Sequence, residues 1–222
     1  MRTGGTPKCG RAFSGSSAEI VVASRCTDAT QSIAEAAGAV VVVDDHRNIA
    51  ATRNAGVAAS TGEVVVTIDA DTVMHPDALV EVGRLVDSVA FVGGGCSIVM
   101  ERNSLGLAVT GFLGRSVMVL TRSGAVMFWC RRDDFDAVGG FDENLRIAED
   151  LDFARRLRQH GRTTERRFRN VRSAPATVCV RKWDRFGVWH YFSKVSAAAL
   201  RARNPREADV RFIDEYFYDY NA

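Results

Sequence analysis

Gly62-Glu63-Val64-Val65-Val66-Thr67-Ile68-Asp69-Ala70-Asp71 is an apolar run of strand length, bounded by a glycine on one side and two acids on the other. Such a run fits a strand buried on both faces, and the acids fall at its carboxyl end. Upstream, Glu19 to Ala23 (EIVVA) and Ala39 to Val43 are two more short apolar runs. Between them Thr27 offers a cap for a helix through Ile33 and Ala36 that stops at Gly38. Asn48 to Ala59 reads as a small-residue helix. Strands alternating with helices predict an α/β domain, a mostly parallel, doubly wound sheet with helices on both faces.

Downstream, Pro76 marks a helix start, and Leu79, Val82, Leu85 and Val86 give that helix an apolar face to about Val89. Ala90 to Val92 is apolar, Gly93-Gly94-Gly95 interrupts it, and Cys96 to Met100 resumes it. Leu105 to Leu120 is a mixed segment that reads either as helix or as loop. Val126 to Cys130 is strand-like. A helix is expected from about Ala148 to His160, stopped by Gly161, with Leu151, Ala154 and Leu157 on one face. Val178 to Val180 reads as a last strand. Phe186, Trp189, Phe192 and Val195 recur at helical spacing as a packing stripe.

Composition narrows the function classes. With 222 residues, 46% hydrophobic and 25% charged, the chain has the makings of a globular core. Lys+Arg at 29 against Asp+Glu at 27 leaves +2, too balanced for a coat on duplex DNA. Only Lys8, Lys182 and Lys194 are lysines; the other basic residues are arginines, suited to bidentate phosphate or carboxylate contacts. Cys9, Cys26, Cys96, Cys130 and Cys179 are odd in number and form no C-x-x-C pair, so neither a disulfide framework nor a zinc site is expected. No apolar stretch reaches the roughly 18 residues of a membrane span. A cytoplasmic location is expected, with peripheral attachment to the inner face of the membrane left open.

Chemistry gathers at the strand ends. Open α/β sheets place ligands outside the carboxyl ends of their strands. Residues two apart on an extended segment point the same way, so Asp69 and Asp71 can face one hard cation, Mg²⁺ or Mn²⁺, that shares its other positions with phosphate oxygens. Asp44-Asp45, being adjacent, point apart and read as loop residues.

The series ATRNAG (51–56), STGEVVVTIDADT (60–72) and GGFDENLRIAEDLDFARRLRQHG (139–161) resembles the family-2 glycosyltransferases, inverting enzymes of the nucleotide-diphospho-sugar transferase fold called GT-A. The resemblance implies a metal-dependent transfer of a sugar from a nucleotide-diphosphate donor, a UDP-sugar favoured, to an acceptor hydroxyl on a glycan, lipid or small molecule. It implies that Asp69 and Asp71 bind the donor diphosphate through the metal and that Arg53 and Asn54 wall the donor site. Glu149 and Asp150 correspond to the acidic pair that supplies the base; adjacent helical residues point about 100° apart, so one faces the acceptor, Asp150 favoured. Gly140 and Phe141 would shape the acceptor side, with Trp129 stacking on a sugar or packing in the core. Arg181, Lys182 and Trp183 resemble a basic segment that closes over the phosphates, with His190 as a further metal ligand.

The implied organisation is a flexible leader (1–18), a GT-A-like domain (19–183, donor half about 19–100, acceptor half about 101–183) and a C-terminal helical extension (184–222). The family's usual first strand has no counterpart before Glu19, and Ser24-Arg25-Cys26 stands where an acid often follows the next strand. A glycosyltransferase-like binding or regulatory partner without turnover is therefore the alternative. No nucleic-acid partner is expected; self-association is left open. The Arg155 to Arg172 region reads as a solvated face or as a surface for anionic lipid.

Overall fold

The computed structural model describes residues 18–24, 26–102 and 125–180. The leader to residue 17, the mixed segment Leu105 to Leu120 and the expected C-terminal helical extension lie outside the described residues, as do Arg181, Lys182, Trp183 and His190.

The first unit is β1 (Val21–Ser24), α1 (Thr30–Ala36) and β2 (Val40–Val43), with β1 and β2 parallel in the register Val21 to Val40 through Ser24 to Val43. Asp28, rather than the expected Thr27, closes the start of α1: its Oδ1 accepts the Thr30 N–H at 3.0 Å. Then α2 (Ile49–Ala58) begins at Asn48, whose Oδ1 accepts the Ala51 N–H at 3.1 Å. At the far end of α2, Arg132 donates to Val57 O, Gly62 O and Ser60 Oγ, which fixes the turn into β3 (Val64–Ile68).

β4 (Thr72–Val73), α3 (Ala78–Asp87), β5 (Phe91–Met100), β6 (Ala125–Arg131), α4 (Arg132–Ala137), α5 (Glu149–Thr163), β7 (Arg167–Phe168) and β8 (Val171–Val178) follow. Among the described residues the main sheet runs β3-β6-β5-β8-β4, with β7 also pairing β5, and β1-β2 forms a separate two-stranded sheet. The α/β expectation holds. Its mostly parallel pairing is corrected to a mixed one: β3, β5, β7 and β8 share a direction, but β6 lies between β3 and β5 and opposes both, as β4 opposes β8.

Successive residues on β6 point to opposite faces, and this splits the core in two. Phe128 and Cys130 meet α2, α4 and α5 on one face, where Ala50, Phe135, Phe153 and Leu157 are buried. Met127 and Trp129 meet Val82 and Val86 of α3 on the other. The glycines expected to interrupt the apolar run at 93–95 lie inside β5, because Arg169 crosses there: a Cβ on Gly94 would stand 1.7 Å from the Arg169 carbonyl oxygen. Nor does Gly161 stop α5, which continues to Thr163. A Cβ there would sit 2.5 Å from the Arg166 carbonyl oxygen and 2.8 Å from Val92, so this glycine serves packing, not termination.

Candidate functional site

Asp69 follows β3 and donates its N–H to Val126 O at 2.9 Å; the Thr72 N–H returns to Asp69 O at 3.1 Å. Asp69-Ala70-Asp71-Thr72 is therefore a tight turn, not the extended segment expected, and the D-x-D pair sits on a bend that reverses the chain into β4. Val65, Thr67 and Asp69 share one face by alternation, the face carrying α2 and α5.

Arg53 rises from α2 into this face. Its Nη2 donates to Asp69 Oδ1 at 2.6 Å and its Nη1 to Glu149 Oε1 at 2.9 Å, while the guanidinium carbon lies 5.1 Å from the centroid of the Phe141 ring. One planar fork thus joins the end of β3 to the start of α5. Burial alone would lower the Arg53 guanidinium, but the Asp69 and Glu149 carboxylates outweigh it and hold the group above its ordinary value.

Glu149 and Asp150 occupy the first turn of α5, where the helix dipole favours anions. Glu149 is buried at 7% exposure, whereas Asp150 is half-buried and accepts the Leu151 N–H at 2.7 Å. Burial raises Glu149 to about 6, with Asp150 adding to the shift and Arg53 opposing it. Asp150 is raised too, by burial first, against the pull of Arg53. Ala148, the residue before them, takes a left-handed backbone at φ 62°, which an L side chain adopts at a cost of about 1–2 kcal/mol. That conformation turns the chain from the preceding loop into the helix. Val126, the partner of the Asp69 N–H, is also left-handed at φ 50°.

Asn54, one residue after Arg53, holds the 139–143 loop. Its Nδ2 donates to Phe141 O at 2.9 Å and Glu143 Oε1 at 2.8 Å, and its Oδ1 accepts the Phe141 N–H at 2.9 Å. Asn48 adds a donor bond to Glu143 O at 2.6 Å. At Gly140, φ is +63° and a Cβ would come within 2.8 Å of Asn54 Oδ1, so the double glycine lets the loop close on α2. Arg156 braces the same turn from α5, donating to Gly140 O at 2.8 Å and to Val138 O.

A family model described as glycosyl transferase family 2 matches residues 13–97, and one described as glycosyl transferase family group 2 matches residues 64–189, more than half the chain. The chain belongs to glycosyltransferase family 2. Comparison with curated protein sequences returns no match. Three glycosyltransferase structures show its fold. A mannosyltransferase from Pyrobaculum calidifontis in complex with GDP-Man and Mn²⁺ is 18% identical with a TM-score of 0.57, covering 91% of this chain and 61% of its own. TarS from S. aureus is 17% identical, TM-score 0.55, covering 89% and 59%. Glucosyl-3-phosphoglycerate synthase from Mycobacterium tuberculosis, with Mn²⁺ and UDP-Glc, is 19% identical, TM-score 0.54, covering 83% and 67%. The fold is GT-A, and the chain spans about three fifths of the length of the first two.

At this candidate site the residues expected from the sequence divide. Arg53, Asp69 and Glu149 are bonded to one another, and Asp150 lies in the field of Arg53 and Asp69. Asn54 spends its amide on the loop. Phe141 is 1% exposed and stacks on Phe153 at 4.3 Å between centroids, so its ring is part of the core. Stacking of Trp129 on a sugar is corrected to core packing: at 1% exposure it lies against α3, on the sheet face opposite Arg53. Asn48, Glu143 and the bracing Arg156 were not expected; the one legible sign was the asparagine standing before a helix.

For a metal, the chemistry of the donor set is hard oxygen from Asp69 and Asp71, which suits Mg²⁺ or Mn²⁺. Among the described residues no group of three or more His, Cys, Asp or Glu converges, so a cation here would complete its shell with phosphate and water oxygens. No described helix is long and apolar enough to cross a membrane.

Proposed function

We propose that the chain transfers a sugar, with inversion, from a nucleotide-diphosphate donor to an acceptor hydroxyl. The observation that carries this reading is the Arg53 fork, which brings the D-x-D turn and the α5 acid pair into one site. Asp69 and Asp71 would hold Mg²⁺ or Mn²⁺ at the turn, where the donor diphosphate would share the cation. When bound, the cation offsets charge on the departing nucleoside diphosphate. Arg53 fixes Asp69 and keeps Glu149 occupied, which leaves Asp150 facing the acceptor. Asp150 takes the hydroxyl proton as that oxygen bonds to the anomeric carbon and the bond from this carbon to the diphosphate oxygen breaks. A carboxylate raised above its usual range is a better proton acceptor for this step.

Arg181 and Lys182 on the phosphates and His190 on the metal complete the proposal from the family resemblance alone. A UDP-sugar is favoured; similarity to structures carrying GDP-Man and UDP-Glc makes both nucleotides part of the test. The separation of β1-β2 from the main sheet among the described residues supports the second reading, a binding partner without turnover.

Calorimetry of UDP and GDP with and without Mn²⁺, on the wild type and Asp71→Asn, tests the donor site, followed by release of nucleoside diphosphate from sugar nucleotides. Metal-dependent binding lost in the variant, with turnover lost in Asp150→Asn, supports transfer. Binding without turnover against an acceptor panel favours the second reading, and no binding of either nucleotide by the folded chain counts against transfer and toward the second reading.

A further inference from the structure

Thr67 Oγ1 is a buried polar atom with no hydrogen-bond partner among the described residues. The rest of β3 is Val64, Val65, Val66 and Ile68, all apolar and β-branched. A valine at 67 would keep the shape and spare the strand a hydroxyl that has lost water without gaining a partner. Position ties this hydroxyl to the site. Thr67 pairs with Phe128 on β6, whose ring belongs to the cluster on the α2 and α5 side, and it stands two residues before Asp69 on that same face. There Arg53 of α2 joins Asp69 to Glu149 of α5.

The neighbouring polar groups are bonded to one another instead. Asp69 Oδ1 and Glu149 Oε1 both accept from Arg53. Thr67 as a residue nevertheless keeps partial exposure, although its Oγ1 has none. One staggered step about the Cα–Cβ bond, about 120°, carries the oxygen to a new position without moving the backbone. Buried polar groups without partners call for a reason, and a hydroxyl one bond rotation from the D-x-D acids has one when the site fills.

We propose that Thr67 is a positioning residue of the donor site: when the cation and diphosphate bind, its hydroxyl turns toward the cleft and accepts a hydrogen bond from a water in the cation's shell. The inference rests on the donor site proposed above and adds a residue to it. Groups that hold the shell of a metal from behind its direct ligands tune its affinity. The unpaired hydroxyl destabilises the free chain, and pairing it favours the loaded one.

Urea unfolding in EDTA, and Mn²⁺ titration followed by electron paramagnetic resonance with UDP or GDP present, compare wild type, T67V and T67S. T67V is expected to unfold at higher urea than wild type in EDTA, yet to bind Mn²⁺ about tenfold more weakly beside the nucleotide. T67S keeps the oxygen and should bind as wild type does. A variant that is more stable and binds less cannot owe the loss to unfolding. A T67V midpoint equal to or below wild type shows the hydroxyl already paired in the free chain. Unchanged Mn²⁺ binding by T67V, or an equal loss in T67S, shows that the oxygen has no part in the loaded site. Any of these overturns the proposal while leaving the donor site standing. No nucleotide-dependent Mn²⁺ binding by the wild type overturns the donor-site reading itself, and this proposal with it.

Discussion

Arg53 is the side chain on which the site turns, since a single guanidinium neutralises carboxylates from two separate elements. Its side chain is 14% exposed, Glu149's 10% and Asp69's 34%. Removing one member of a buried pair strands the other charge. Arg53→Ala is expected to cost about 3 kcal/mol in urea unfolding at pH 7, at the lower end for a buried pair because Asp69 keeps some water. Arg53→Lys keeps the charge without the fork and should fall between wild type and alanine. Glu149 gives a pH signature of defined sign. Its carboxyl is raised from 4.5 to about 6 in the folded chain, so the native state holds this proton more tightly than the unfolded one. The stability from this group is full below about 4.5 and is lost as pH rises through about 6. Glu149→Gln removes the effect: unfolding measured across that window should show the variant gaining on the wild type as pH rises, then running level above it. A difference independent of pH would show that Glu149 is not raised.

Among the elements, α5 shows how far periodicity reaches. Helix propensity favours alanine over glycine by about 1 kcal/mol, so Gly161→Ala in an isolated helix would stabilise. Here a Cβ meets backbone at 2.5 Å, and overpacking against a carbonyl should instead lower stability by about 1–3 kcal/mol, measured by thermal or urea unfolding. The sequence pattern located β3, α2, α3 and α5 to within a few residues, β3 from its apolar run, α3 and α5 from an apolar face and α2 from its run of small residues. It missed most of β8, where Pro175 and the exposed Arg172 and Ser173 hide a strand that its neighbours β5 and β4 define. It split β5 at glycines whose purpose is set by Arg169, far along the chain. The acids at the end of β3 and the start of α5 were legible from their positions, but the bond from Arg53 to Glu149 spans 96 residues and has no local trace. Likewise the D-x-D turn was read as extended because a bend depends on backbone bonds that two aspartates do not announce.

Across the whole molecule, stability is unevenly distributed. Both apolar clusters begin at Ala50 or later, α1 has no buried residue, and β1 and β2 are at best half-buried despite runs that suit a covered parallel sheet. Hydrogen exchange should therefore find amides of Val21 to Val43 opening at much lower free energy than those of β5 and β6; equal protection would show that this unit is covered. At the other extreme, the fork between Asp69 and Glu149 makes the two sides of the cleft reciprocal. A ligand that draws Asp69 toward itself leaves the guanidinium to Glu149, and one that engages Glu149 releases it to Asp69. By linkage, each must change the other's affinity by the same factor, so whichever substrate enters first sets the welcome the second receives.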